Sequence, residues 1–229
     1  MINLILKIRA LFFRMLFPRG NAWQICEKPL SVKYGYDRGL PIERYYIEKF
    51  LSENGEKIKG LVLEVESDQY ATRFGGKNIS SLEIVDYNSS NKKANYIDDL
   101  QFGKKLPKEY YDCVLITQVI GAIADYNSFV NTVFDILKPG GNLILTTSGL
   151  ATMIKPPQEP FWRFTPKGLK MIFEKKFKTG NTYVESFGNF LTGQASWIGA
   201  SAQELSTKEL DQKDDRYPVL IGLIATKPI

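Results

Sequence analysis

The stretch Ile136–Thr147, "ILKPGGNLILTT", joins two patterns across a break. Upstream, "NSFVNTVFDILK" (127–138) repeats apolar residues at helical spacing, and the Pro139-Gly140-Gly141 run ends it. Downstream, "NLILTTS" (142–148) is a short apolar run of the kind that forms a buried strand. Similar runs recur on both sides: "LVLEV" (61–65), "SLEIVDY" (81–87), "ANYID" (94–98), "YDCVLITQ" (111–118), "TYVESF" (182–187) and "VLIGLIATK" (219–227). Helical patterns stand at "PIERYYIEKFLSENG" (41–55) and "TPKGLKMIFEKKF" (165–177). Near-continuous apolar strands separated by helices predict an α/β fold: a doubly wound, mostly parallel seven-stranded sheet with helices on both faces.

Composition narrows the chemistry. The 229 residues include two cysteines, Cys26 and Cys113, too few for a disulfide framework and without metal-ligand spacing, so no metal is expected. Histidine is absent, which removes the commonest general base and leaves Asp, Glu, Tyr, Lys or solvent for proton removal. The net charge of +5 is local: residues 1–60 hold 11 Lys/Arg against 6 Asp/Glu, and the remainder holds 19 of each. A nucleic-acid enzyme concentrates positive charge around its working cleft, so the neutral main body argues against nucleic acid as partner.

The basic segment is "MINLILKIRALFFRMLFPRG" (1–20), with Lys7, Arg9, Arg14 and Arg19 and no acid. It reads as an amphipathic helix ending before Pro18, too short and too charged to span a membrane and unlike a signal peptide. Two partners suit it: an anionic membrane surface, or a protein surface of this or another chain. Residues 21–40 read as a connector, and 41–229 as one domain.

The order of motifs in 41–229 resembles the class I S-adenosylmethionine-dependent methyltransferases, whose fold is Rossmann-like. "VLEV" followed by "IVDY" resembles the first strand and the acid-ended second strand; "YIDDL" resembles the third, "YYDCVLITQVIGAI" the fourth, and "ILKPGGNLILTT" the fifth with its preceding helix. "FWRFTPKGLKMIF" resembles a segment of small methyltransferases from sugar and cell-surface polysaccharide clusters. The resemblance implies S-adenosylmethionine as cofactor. Asp86, with Tyr87 beside it, is placed to accept the ribose hydroxyls. Asp99 and Leu100 are placed at the adenine, and Thr117 and Gln118 at the methionine end, with Glu64 inside the first strand.

The loop after that strand departs from the family. Glu66, Asp68 and Tyr70 occupy its three glycine positions, and Ser67 lies between the first two. Bulk at Glu66 is expected to crowd the cofactor, and two carboxylates to repel its methionyl carboxylate. Two readings follow. In one the loop is rebuilt: Glu66 or Asp68 meets the methionyl ammonium, Arg44 or Arg73 takes the carboxylate, and Tyr45 or Tyr46 lids the pocket. In the other the cofactor no longer binds, and the chain is a scaffold or regulatory partner of another enzyme.

On the acceptor side, "KPPQEPFWRFTP" (155–166) supplies Phe161 and Trp162 to stack on a sugar and Arg163 to bind an anionic group; the alternative is that Trp162 and Phe164 anchor the loop to the core. Asp125, Tyr126 and Glu159 are candidate bases that the sequence does not rank, so no catalytic residue is assigned. The function expected is O-methylation of a glycan or other cell-envelope intermediate, in the cytoplasm or peripherally on the inner membrane face.

Overall fold

The computed structural model describes residues 28–150 and 159–229, together with Phe12 and Met15. Apart from those two, the expected helix over 1–20 lies outside the described residues, as do Cys26 and residues 155–158. The chain divides into two compact units: 1–49 with 148–152 and 186–220, and 50–147 with 153–185 and 221–229.

Seven strands form one sheet in the order β3-β2-β1-β4-β5-β7-β6. They are β1 (Gly60–Val65), β2 (Ile79–Asp86), β3 (Tyr96–Ile97), β4 (Tyr111–Thr117), β5 (Leu137–Ser148), β6 (Thr182–Phe187) and β7 (Leu220–Thr226). The β1–β2, β1–β4, β2–β3 and β4–β5 pairs are parallel. β7 runs antiparallel to both neighbours: Lys227 N donates to Gly141 O while Val219 O accepts from Gly149 N, and Thr226 N donates to Asn181 O while Val219 N donates to Phe187 O. Among the described residues, six α-helices accompany the strands: α1 (Ile42–Glu53), α2 (Gln69–Phe74), α3 (Tyr126–Ile136), α4 (Pro166–Phe177), α5 (Phe190–Ile198) and α6 (Thr207–Asp211).

In the second unit, strand alternation sorts the helices by face. Leu63, Val114, Ile116, Leu143, Leu145, Ile221 and Leu223 join one cluster with Phe129 and Val133 of α3 and Leu169, Phe173 and Phe177 of α4. The intervening residues point the other way, where Glu64 meets the start of α2 and Gly222 lies against the Phe50 ring of α1. Val62, Leu63, Cys113, Val114, Leu115 and Ile116 are all fully buried, which only a sheet covered on both sides allows.

The break at Pro139 falls inside a strand. α3 ends at Ile136, two residues before the expected Lys138, and β5 begins at Leu137. Proline disfavours helical geometry at Lys138, so the chain extends early and pairs Leu137 with Tyr111. The extra residues are absorbed by a register shift between Tyr111 and Cys113. Gly140 takes φ +78°, and a Cβ on Gly141 would lie 2.9 Å from Lys138 O and 3.0 Å from Tyr111 O.

In the first unit, residues 28–40 form turns. The Arg38 guanidinium donates to both carboxylate oxygens of Glu204, at 2.9 and 2.7 Å, with both side chains buried. α5 opens with an Asn189–Thr192 capping box and closes on left-handed Gly199. α6 opens on Ser206 and buries Leu210.

Candidate functional site

β1 delivers the chain to Glu66, whose φ of +66° lies in the left-handed region that glycine occupies without penalty. For a residue with a side chain this conformation costs roughly 1–2 kcal/mol. Hydrogen bonds impose it. Glu66 N donates to Val85 O at 2.9 Å, and the Asn91 side-chain amide donates to Glu66 O at 2.9 Å. Ser67 N then turns back onto Val65 O at 2.8 Å.

The helix that follows is held from within the sheet. Asp68 stands at the α2 N-cap without a side-chain capping bond. The Glu64 carboxylate accepts instead from Tyr70 N at 3.1 Å and Ala71 N at 2.8 Å. Burial pushes the Glu64 carboxyl up to about 7; the two backbone donors oppose that rise and Asp68 adds to it. Asp68 pairs with Lys93 at 3.6 Å near the surface. Tyr70 is buried and stacks on Phe74.

At the end of β2, Asp86 is buried, yet it lines a cavity. Oδ1 accepts from Asn88 N and Oδ2 from the Asn91 amide, each at 2.8 Å. Asn91 thus ties Asp86 to the backbone of Glu66. Each carboxylate oxygen retains a second lone pair for a ligand. Past β3, Asp98 accepts from Asp99 N and Lys105 N, and Asp99 accepts from Gln101 N. Leu100 is buried beside them. Past β4, Gln118 is also left-handed, at φ +62°, and its N donates to Thr146 O at 2.8 Å.

These strand ends enclose a cavity of about 480 Å³, within the range of roughly 300–1,000 Å³ usual for small-molecule sites. Glu66, Asp86, Tyr87, Asp99, Leu100 and Gln118, all expected at the cofactor from the sequence, line it together. So do Val65, Val85, Asp98, Gln101, Val119, Ala122, Ile123, Ala124 and Phe161. Its walls carry four carboxylates and, among the described residues, no lysine or arginine. Partial burial, then the neighbouring Asp86, pushes the Glu66 carboxyl above its usual range. Among the described residues no group of His, Cys, Asp and Glu is arranged to hold a metal ion.

The other expected residues lie elsewhere. Of the three at glycine positions, only Glu66 faces the cavity. Glu64, Ser67, Asp68 and Thr117 are not among its walls. In the first unit, Tyr45 donates its hydroxyl to Asp211 at 3.0 Å, buried Tyr46 donates to Leu210 O, and Arg44 lies over the Tyr36 ring. Arg73 lies over the Phe74 ring.

The segment 161–164 docks on the turn after β4. Phe161 N and Trp162 N both donate to Gly121 O, and Trp162 Nε1 donates to Ile123 O and Ala124 O at 3.0 and 3.1 Å. Phe161 reaches the cavity, Phe164 is buried, and Trp162 meets Tyr126 edge to face. Trp162 and Arg163 are not cavity walls. Of the candidate bases, Asp125 caps α3 by accepting from Asn127 N, Ser128 N and the Ser128 hydroxyl, bonds that hold its carboxyl below the usual range. Asp125, Tyr126 and Glu159 are all absent from the cavity wall.

Sequence reading missed Asn91. It stands in a polar loop, "NSSNKK" (88–93), where nothing distinguishes it from its neighbours. The quoted motif of the fourth strand runs on through the turn to Ile123, but no residue past Gln118 was expected at the site; residues 119–124 gain their place only when β4 ends beside β1.

No protein-family model matches the chain, and no curated protein does. Solved structures share its fold. A SAM-dependent methyltransferase from Archaeoglobus fulgidus aligns with TM-score 0.56 and 16% identity, over 86% of this chain and 100% of that one. One from Mesorhizobium loti aligns with TM-score 0.53 and 13% identity, over 81% and 98%. Phosphoethanolamine N-methyltransferase 2 of Haemonchus contortus, solved with S-adenosyl-L-methionine, aligns with TM-score 0.53 and 14% identity, over 97% of this chain and 57% of that one. The fold is therefore the Rossmann-like methyltransferase fold.

Proposed function

We propose that this chain is an S-adenosylmethionine-dependent methyltransferase that modifies a small molecule, and that its acceptor is a hydroxyl of a glycan or cell-envelope intermediate. One observation carries the reading: Asp86 ends β2 against a cavity at the carboxyl edge of the parallel strands, where open α/β sheets bind ligands. The fold neighbours, several named as SAM-dependent methyltransferases, support it. The cavity suits the cofactor in size and in acceptor groups for its ribose hydroxyls and adenine amine. Asp86 would accept the ribose hydroxyls, Leu100 and Tyr87 would pack on the adenine, and Asp99 would accept from its exocyclic amine.

The bound cofactor supplies an electrophilic methyl group on a sulfonium. The protein's part is then to hold the acceptor oxygen in line and exclude water, because positioning is what such a transfer needs most. Phe161, fixed by the bonds to Gly121, would form the acceptor side, with Trp162 and Arg163 beyond it. The resemblance of "FWRFTP" to sugar-modifying methyltransferases supports a glycan. The basic segment 1–20 supports placement at the inner membrane face, in contact with lipid or a protein partner.

Calorimetric titration with S-adenosylmethionine and S-adenosylhomocysteine tests the cofactor assignment, with micromolar dissociation constants expected. Asp86→Ala should weaken binding about 10- to 100-fold, the loss of hydrogen bonds to a charged acceptor. No heat at millimolar ligand would overturn the enzymatic reading in favour of a non-catalytic partner protein, one that co-purifies with another enzyme.

A further inference from the structure

Glu66 occupies a position whose backbone conformation favours glycine, and the chain places a carboxylate there. Its backbone is fixed from both ends of the residue, by Val85 O and by Asn91, and the residue lines the cavity. Asp68 and Tyr70, the neighbours it shares the loop with, are engaged with Lys93 and Phe74. Asp86, Asp98 and Asp99 face the same space, and no described wall residue is a lysine or arginine. A ligand arm entering beside Glu66 therefore meets negative charge without a compensating cation, and an anionic arm is disfavoured there.

We infer that Glu66 is a specificity-determining residue that makes this cavity discriminate between adenosyl ligands by the charge of their side arm. The inference rests on the proposed cofactor. Ligands with more positive arms bind more tightly, so the sulfonium donor is held in preference to its neutral thioether product, and the methionyl carboxylate adds nothing to affinity. The same preference expels the product after transfer.

The test is calorimetry of the full chain with three probes: decarboxylated S-adenosylmethionine, S-adenosylmethionine and S-adenosylhomocysteine, of net charge about +2, +1 and zero at neutral pH. Affinity should fall in that order, by about tenfold or more between the last two, as expected for a nearby carboxylate in a partly screened site. Glu66→Gln should bring the three within about threefold of one another. Glu66→Gly, which also relieves the backbone, provides a second variant if the first is unstable, and circular dichroism confirms that each is folded. Binding by the wild type with no charge order, or an order that survives both substitutions, overturns the inference and leaves the methyltransferase reading standing. Binding of none of the three by the wild type overturns that reading first, and the inference with it.

Discussion

At the scale of single residues, Glu64 shows how position changes a side chain's task. A carboxylate in the middle of an apolar strand would be costly unless paired, and here two backbone N–H groups of α2 meet it. Its carboxyl is raised from an ordinary 4.5 to about 7. The folded state therefore holds a proton that the unfolded chain releases earlier. The resulting stability is fully present below about pH 4.5 and is lost as pH rises through about 7. Urea unfolding across that window should show a loss on the order of 2–3 kcal/mol in the wild type relative to Glu64→Gln, with the difference flat above about pH 8. Parallel pH profiles for the two proteins would overturn this account. That Glu64 sits on the first strand was legible from "VLEV"; that it braces a helix was not, because no local pattern marks a carboxylate that answers donors six and seven residues on.

Among elements, β5 shows a local signal correctly found and incorrectly placed. The Pro-Gly-Gly run marks a break, and the break proved to be a bulge within the strand. The two glycines serve it differently. At Gly140 the demand is the left-handed φ, and the nearest atom to an added Cβ, on Ile229, is 3.8 Å away. Gly140→Ala should cost about 1–2 kcal/mol, the penalty of that backbone region alone. At Gly141 two backbone carbonyls stand within 3.0 Å of an added Cβ. Gly141→Ala should cost more, about 2–4 kcal/mol, since the strand pair itself must shift. Chemical denaturation midpoints of both variants rank them; equal losses would mean the bulge yields freely. The short helices α5 and α6 went unread because their caps, not their periodicity, define them: Asn189 and Ser206 close capping boxes over runs too brief to show a repeat.

For the molecule as a whole, the division of charge is what the membrane proposal rests on. The surplus of five positive charges lies in residues 1–60, and the rest is neutral. No described helix is long and apolar enough to cross a membrane. Full-length chain should float with anionic vesicles and be released by salt, whereas a chain starting at Asn21 should remain unbound. Equal flotation of the two would remove the membrane proposal and leave a protein partner for that segment.

Local pattern was enough for the sheet: seven apolar runs, their alternation with helices, and an acid closing the second. These are local properties, since burial on both faces requires continuous apolar strands wherever they pair. Six residues that line the cavity were legible for the same reason, each standing at or just past a strand end. Which residues of the glycine-poor loop face the cavity depended on long-range packing. Glu66 is turned inward by bonds from Val85 and from Asn91, 25 positions along the chain. Tyr70 is turned into the core by α2. Hydrogen bonds between segments distant in sequence set those directions, and such bonds leave no periodic trace in the chain that makes them.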